Sequence, residues 1–169
     1  MPHYPDLKGY AGLRQVAKTI RFAASLETGY KAATWLGRFG GRIDFMAEIL
    51  VIDDDVHTLD LVTSILEAAG HTVERVSDGQ GGVDAVLNGD VVPDLIVTDL
   101  NMRGVSGWDV VRQIREGMPE SSTPILALSA FTTAQDRDEA FKAGCTAYEN
   151  KPIDRDRFVA RIDRLLAAE

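Results

Sequence analysis

Ile49-Leu50-Val51-Ile52-Asp53-Asp54-Asp55 is the stretch whose reading decides the fold. A short apolar run rich in β-branched residues and closed by acids reads as a buried strand, the kind that parallel sheets place at their centre. The chain downstream repeats the plan. Residues 58–69 carry Leu59, Val62, Ile65, Leu66 and Ala69 at helical spacing, with Gly70 as the expected C-cap. Thr72–Val76 is expected as a second strand, then a helix opened by Ser77 or Asp78 and running to about Asn88. Leu95–Thr98 is the third strand, a helix follows at about 108–116, and Ile125–Leu128 is the fourth strand. A helix at about 133–143 stops at Gly144, and Ala147–Asn150 makes a short fifth strand. Asp154 caps a last helix whose Phe158, Ile162, Leu165 and Leu166 face inward.

Five strand–helix units in strict alternation predict an α/β fold, a parallel sheet with helices on both faces. Each parallel connection must cross over, nearly always with a right-handed turn. No internal repeat or low-complexity segment interrupts the pattern. With 169 residues, 45% of them hydrophobic and 26% charged, the composition is that of a soluble globular protein with room for one domain and an appendage. No apolar run approaches the ~20 residues of a membrane span, and no secretory signal opens the chain. Cys145 is the only cysteine, so no intramolecular disulfide forms, which suits the cytoplasm.

The net charge of −8 is unevenly spread. Residues 1–48 hold seven Lys/Arg against four acids, a surplus of +3 that leaves −11 for the remainder. So acidic a body repels nucleic-acid phosphates, and direct nucleic-acid binding is not expected. Residues 1–45 form a separate N-terminal extension, helical or weakly ordered, hinged at Gly40-Gly41. Leu13, Val16, Ala17, Ile20 and Ala24 fall on one helical face. Met46-Ala47-Glu48-Ile49 reads as the beginning of the main domain, which runs over 46–169.

Four polar features stand at the ends of the apolar strands: Asp53-Asp54-Asp55 after the first, Asp99 after the third, Ser129 after the fourth and Lys151-Pro152 after the fifth. Parallel neighbouring strands put these ends on one edge, where ligands of open α/β sheets gather. Crowded carboxylates repel unless a cation joins them. Few carboxylates and oxygen-only ligation suit Mg²⁺, or Mn²⁺ in its place. A lysine and a hydroxyl beside a nucleophilic aspartate would offset charge on a transferring phosphoryl group. This is a site for phosphoryl transfer to a carboxylate.

The strand endings, with Pro93-Asp94-Leu95-Ile96-Val97-Thr98-Asp99-Leu100-Asn101-Met102, Leu128-Ser129-Ala130 and Lys151-Pro152, resemble the receiver domains of bacterial two-component response regulators. The resemblance covers about 46–169, and the chain is similar to the single-domain, chemotaxis-type regulators of that family. It implies a flavodoxin-like five-stranded sheet of order 2-1-3-4-5. By the same resemblance Asp99 is the phosphoacceptor, Asp54 binds the metal directly, Asp53 binds it through water, and the Asn101 backbone carbonyl completes the protein ligands. Ser129 hydrogen-bonds the phosphoryl group and Lys151 pairs with it, while Ser129 and Tyr148 form the switch. Pro152 matches a proline that the family often precedes with a cis bond. The implied partners are a histidine kinase or phosphotransfer protein and a downstream protein target, with a dimer through the arm or the 133–169 face left open.

Two positions depart from the family pattern. Arg103 stands where the family usually has proline, which loosens the loop after Asp99 or equips it to meet a partner. Phe131, two beyond Ser129, would crowd the attacking water, so slow hydrolysis of the Asp99 phosphate is expected. Of the rival functions, an aspartyl-phosphate phosphatase commonly wants a general acid two residues after its nucleophile, and that position is Asn101. A pseudo-receiver would not need the complete set of acids, hydroxyl and lysine. Cys145 reads as a small buried hydrophobe, and His57 and His71 read as surface residues without zinc spacing.

Overall fold

Successive side chains of a strand point to opposite faces, and in β1 (Glu48–Ile52) both faces are apolar. Leu50 and Ile52 enter one core, Ile49 and Val51 the other. The computed structural model describes residues 46–89, 93–119, 121, 123–130 and 133–167. The expectations placed on residues 1–45 lie outside the described residues.

After β1 come α1 (Val56–Ala68), β2 (Thr72–Val76), α2 (Gly79–Leu87), β3 (Leu95–Asp99), α3 (Gly107–Gly117), β4 (Ile125–Ser129), α4 (Ala134–Ala143), β5 (Ala147–Asn150) and α5 (Arg155–Leu166). All four strand pairings are parallel, in the order β2-β1-β3-β4-β5. This is the order that the resemblance implies. The α2, α3 and α4 helices bury Val83, Val86, Val110, Val111, Ile114 and Ala140 on the face of Leu50, Ile52 and Ile96. The α1 and α5 helices cover the opposite face, packing Leu59, Val62, Leu66, Phe158 and Ile162 against Ile49, Val97 and Leu126.

Each described helix opens on a capping side chain: Asp55, Asp78, Ser106, Thr133 and Asp154. Such residues satisfy backbone N–H groups that have no partner in the first turn, so the sequence sets these starts locally. Boundaries shift slightly from expectation. The α1 helix begins at Val56 because the Asp55 carboxylate takes the His57 N–H. Its C-cap is Ala69 rather than Gly70. Gly70 follows with φ 93°, letting the Gly70 and His71 N–H groups return to the Glu67 and Leu66 carbonyls.

Two side chains differ from their expected settings. Ala69 lies half-exposed at the end of its stripe, where the chain leaves the helix. His71 is half-buried rather than on the surface, because the turn folds it back over the start of β1, where its Nδ1 accepts from the Ala47 N–H at 3.4 Å. His57 is exposed, as expected.

Candidate functional site

The pairing register carries the site. Ile52 of β1 lies beside Thr98 of β3, so Asp53 and Asp99 follow side by side at the strands' C-terminal edge. Asp99 pairs with Leu128 of β4, which puts Ser129 one step further on, and Ser129 pairs with Asn150 of β5, the residue before Lys151. Parallel order alone therefore gathers residues from four strands.

One carboxylate oxygen from each of Asp53, Asp54 and Asp99 lies within 4.8 Å of the other two. The Lys151 ammonium reaches into this group, with Nζ 2.8 Å from Asp53 Oδ2 and 3.1 Å from Asp99 Oδ2. Asp53 is almost fully buried, at 1% exposure, and burial pushes its carboxyl above the usual carboxylate range despite the hydrogen bond from Lys151. Burial by itself would push the Lys151 ammonium down. Its hydrogen bond to Asp53 and the charge of Asp99 outweigh that and hold it above the usual lysine range.

The expected ligand Asn101 is exposed, and its backbone N–H donates to Asp99 Oδ1 at 3.1 Å, which orients that carboxylate. Ser129 is fully buried, and its carbonyl accepts from the Lys151 N–H at 2.8 Å. The Lys151–Pro152 peptide is cis. Tyr148 lies buried in the α2–α3–α4 core. Cys145 is buried too, and burial pushes its thiol up to about 12. Phe131 lies outside the described residues.

A set of hard carboxylate oxygens with one ammonium among them fits a small divalent cation and a phosphoacceptor aspartate. Magnesium prefers oxygen donors and keeps open positions for phosphate oxygens. The family model of the response regulator receiver domain matches residues 49–163. The chain belongs to this family. Among relatives of this receiver domain, the DNA-binding dual master transcriptional regulator RpaA of Synechocystis is 37% identical over 121 residues, covering 72% of this chain and 49% of that protein. The polar-differentiation response regulator DivK of Brucella ovis is 29% identical over 118 residues, covering 70% of this chain and 94% of DivK. The chain spans about half the length of RpaA and of the mycobacterial regulator TcrA, of which it covers 53%. In solved structures the fold resembles the receiver domain of the sensor histidine kinase PA1611 from Pseudomonas aeruginosa, at TM-score 0.65 and 26% identity over 72% of this chain and 98% of that one. That structure has a magnesium ion coordinated in its active-site cleft.

Sequence reasoning left three features of this edge open or unseen. Arg103 does not merely loosen its loop: its Nε and its backbone N–H both donate to Asp54 Oδ2, at 2.9 Å and 3.1 Å. The guanidinium holds the Asp54 carboxyl below the usual range. Gly107 approaches the Asp99 backbone so closely that a Cβ there would lie 1.9 Å from the Asp99 carbonyl oxygen. Its only sequence signal was a glycine directly after a capping serine. Glu149, buried on β5, pairs with Arg157 and Arg161 of α5, an arrangement that the periodicity of α5 does not announce.

Proposed function

We propose that this receiver domain is a phosphorylation-dependent signalling switch, taking a phosphoryl group on Asp99 from a histidine kinase or phosphotransfer protein. The observation that carries the reading is the convergence of Asp53, Asp54 and Lys151 on the Asp99 carboxylate. Asp54 would hold Mg²⁺ or Mn²⁺ directly and Asp53 through water, with Asp99 and the Asn101 carbonyl as the remaining protein ligands. A bound cation supplies positive charge opposite the phosphoryl oxygens.

The chain's own groups do the rest. An Asp99 oxygen attacks phosphorus, the acyl-phosphate bond forms, and the phosphorus–nitrogen bond to the donor imidazole breaks with its electron pair left on nitrogen. Lys151, already placed on Asp99 Oδ2, neutralises charge on the incoming group, and the Ser129 hydroxyl donates to it. The protein thus catalyses only its own phosphorylation and dephosphorylation. Slow loss of the phosphate belongs to this reading, on the strength of Phe131. A phosphatase is disfavoured because Asn101 cannot act as a general acid.

Output runs through protein contact. Ser129 and Tyr148 stand on neighbouring strands, so a change at the phosphoryl group reaches the face formed by 133–169, where a target or a second copy would bind. No described helix is long and apolar enough to cross a membrane. A cytoplasmic site of action suits a kinase partner. The test is labelling by a small phosphodonor with Mg²⁺. The wild type takes up label and Asp99→Ala does not; equal labelling of both removes Asp99 from its role.

A further inference from the structure

Arg103 is 89% exposed in its side chain, whereas the Asp54 carboxylate it holds is 17% exposed. A long, solvated side chain pays rotamer entropy to sit in one place, so it rests there only where an attractive charge holds it. The charge is the acid cluster itself, and the bond goes to one of the three carboxylates that fit a cation. Asp54 Oδ2 already accepts two hydrogen bonds from Arg103, one from Nε and one from the backbone. A carboxylate oxygen offers about two lone-pair positions. A cation that binds through this oxygen must displace one of these two donors, and the exposed guanidinium moves more readily than the backbone N–H; a cation that binds through the other oxygen meets a positive charge alongside.

We infer that Arg103 is a built-in competitor of the divalent cation: it holds the Asp54 carboxylate that the cation would take, weakens Mg²⁺ binding, and swings into solvent when Mg²⁺ binds. The inference rests on the proposed function only in taking Asp54 as a metal ligand. Exposed ion pairs are weak, so the effect is modest, about two- to tenfold in affinity rather than orders of magnitude.

The experiment is a Mg²⁺ titration by calorimetry of the full chain, wild type against Arg103→Ala and Arg103→Lys, at low and high salt. Arg103→Ala should bind Mg²⁺ about two- to tenfold more tightly at low salt, with Arg103→Lys between the two. The gap should narrow at high salt, because an exposed charge is screened. NMR of the arginine Nε–H gives a second readout: the Arg103 signal moves toward the solvent-exchanging position as Mg²⁺ is added. Equal or weaker binding by Arg103→Ala overturns the inference while leaving the metal site intact. Failure of all three proteins to bind Mg²⁺ overturns both the inference and the proposed function. Because the side chain is exposed, neither substitution threatens folding.

Discussion

The Lys151 ammonium lies 3.1 Å from Asp99 Oδ2, although the two residues sit at the ends of different strands, β5 and β3, with β4 between them. The same ammonium holds the buried Asp53 carboxylate at 2.8 Å. Lys151 is therefore a structural counter-charge before it is anything else.

Its removal should show this. In metal-free buffer Lys151→Met leaves Asp53 and Asp99 facing each other without their cation. It should cost about 2 kcal/mol, between the values for exposed and fully buried pairs. Mg²⁺ should return part of that loss, because a ligand that binds only the folded state stabilises it. Urea denaturation with EDTA and with Mg²⁺ measures both. A variant as stable as wild type in EDTA would contradict the account.

Gly107 and Gly104 make a matched pair. At Gly107 an added Cβ meets the Asp99 carbonyl at 1.9 Å and the Leu100 Cα at 2.6 Å, both backbone atoms that cannot yield. Gly107→Ala should cost about 3 kcal/mol and disturb Asp99 itself. Gly104 has φ 77° and open space around it, so Gly104→Ala meets only backbone strain, about 1 kcal/mol. Denaturation of the two variants side by side gives the contrast; equal costs would mean the loop relaxes at Gly107.

His71 predicts a pH dependence. Burial pushes its imidazole below the ordinary 6.5, and the charge of Asp163 opposes this without prevailing. The unfolded chain therefore takes up the proton at a higher pH than the folded one. Stability from this group is fully present above the unfolded value and declines as pH falls through it toward the folded value. His71→Gln should flatten the urea midpoint against pH in that window. An unchanged slope would show that the imidazole charges freely in the folded protein.

Cys145 should be silent to thiol reagents. Its thiol is buried and pushed up to about 12, so little thiolate exists near neutral pH and access is closed. Labelling by iodoacetamide should follow unfolding, rising with urea in step with the loss of structure. Rapid labelling of the native protein would mean that the α3–α4 side of the core opens locally.

Much of this architecture was legible from residue order because its determinants are local. Ile49–Ile52, Leu95–Val97 and Ile125–Leu128 are apolar on both faces, so each had to be a strand covered twice. Asp55, Asp78, Ser106, Thr133 and Asp154 mark helix starts because each satisfies N–H groups within three residues of itself. The acids, hydroxyl and lysine followed from parallel alternation, which puts every strand's C-terminal end on one edge. The strand order came from family resemblance.

Tertiary structure alone decided how the charges are shared. The acids of Asp53-Asp54-Asp55 look alike in sequence, yet Asp53 is a buried partner of Lys151 and Asp54 is held by Arg103, while the capping role of Asp55 alone is set locally. Likewise His71 became half-buried only because the turn after α1 returns it to the start of β1. A residue's burial and charge partners depend on chain segments tens of residues away. Local pattern fixes which element a side chain belongs to, but the packing of those elements fixes what it faces.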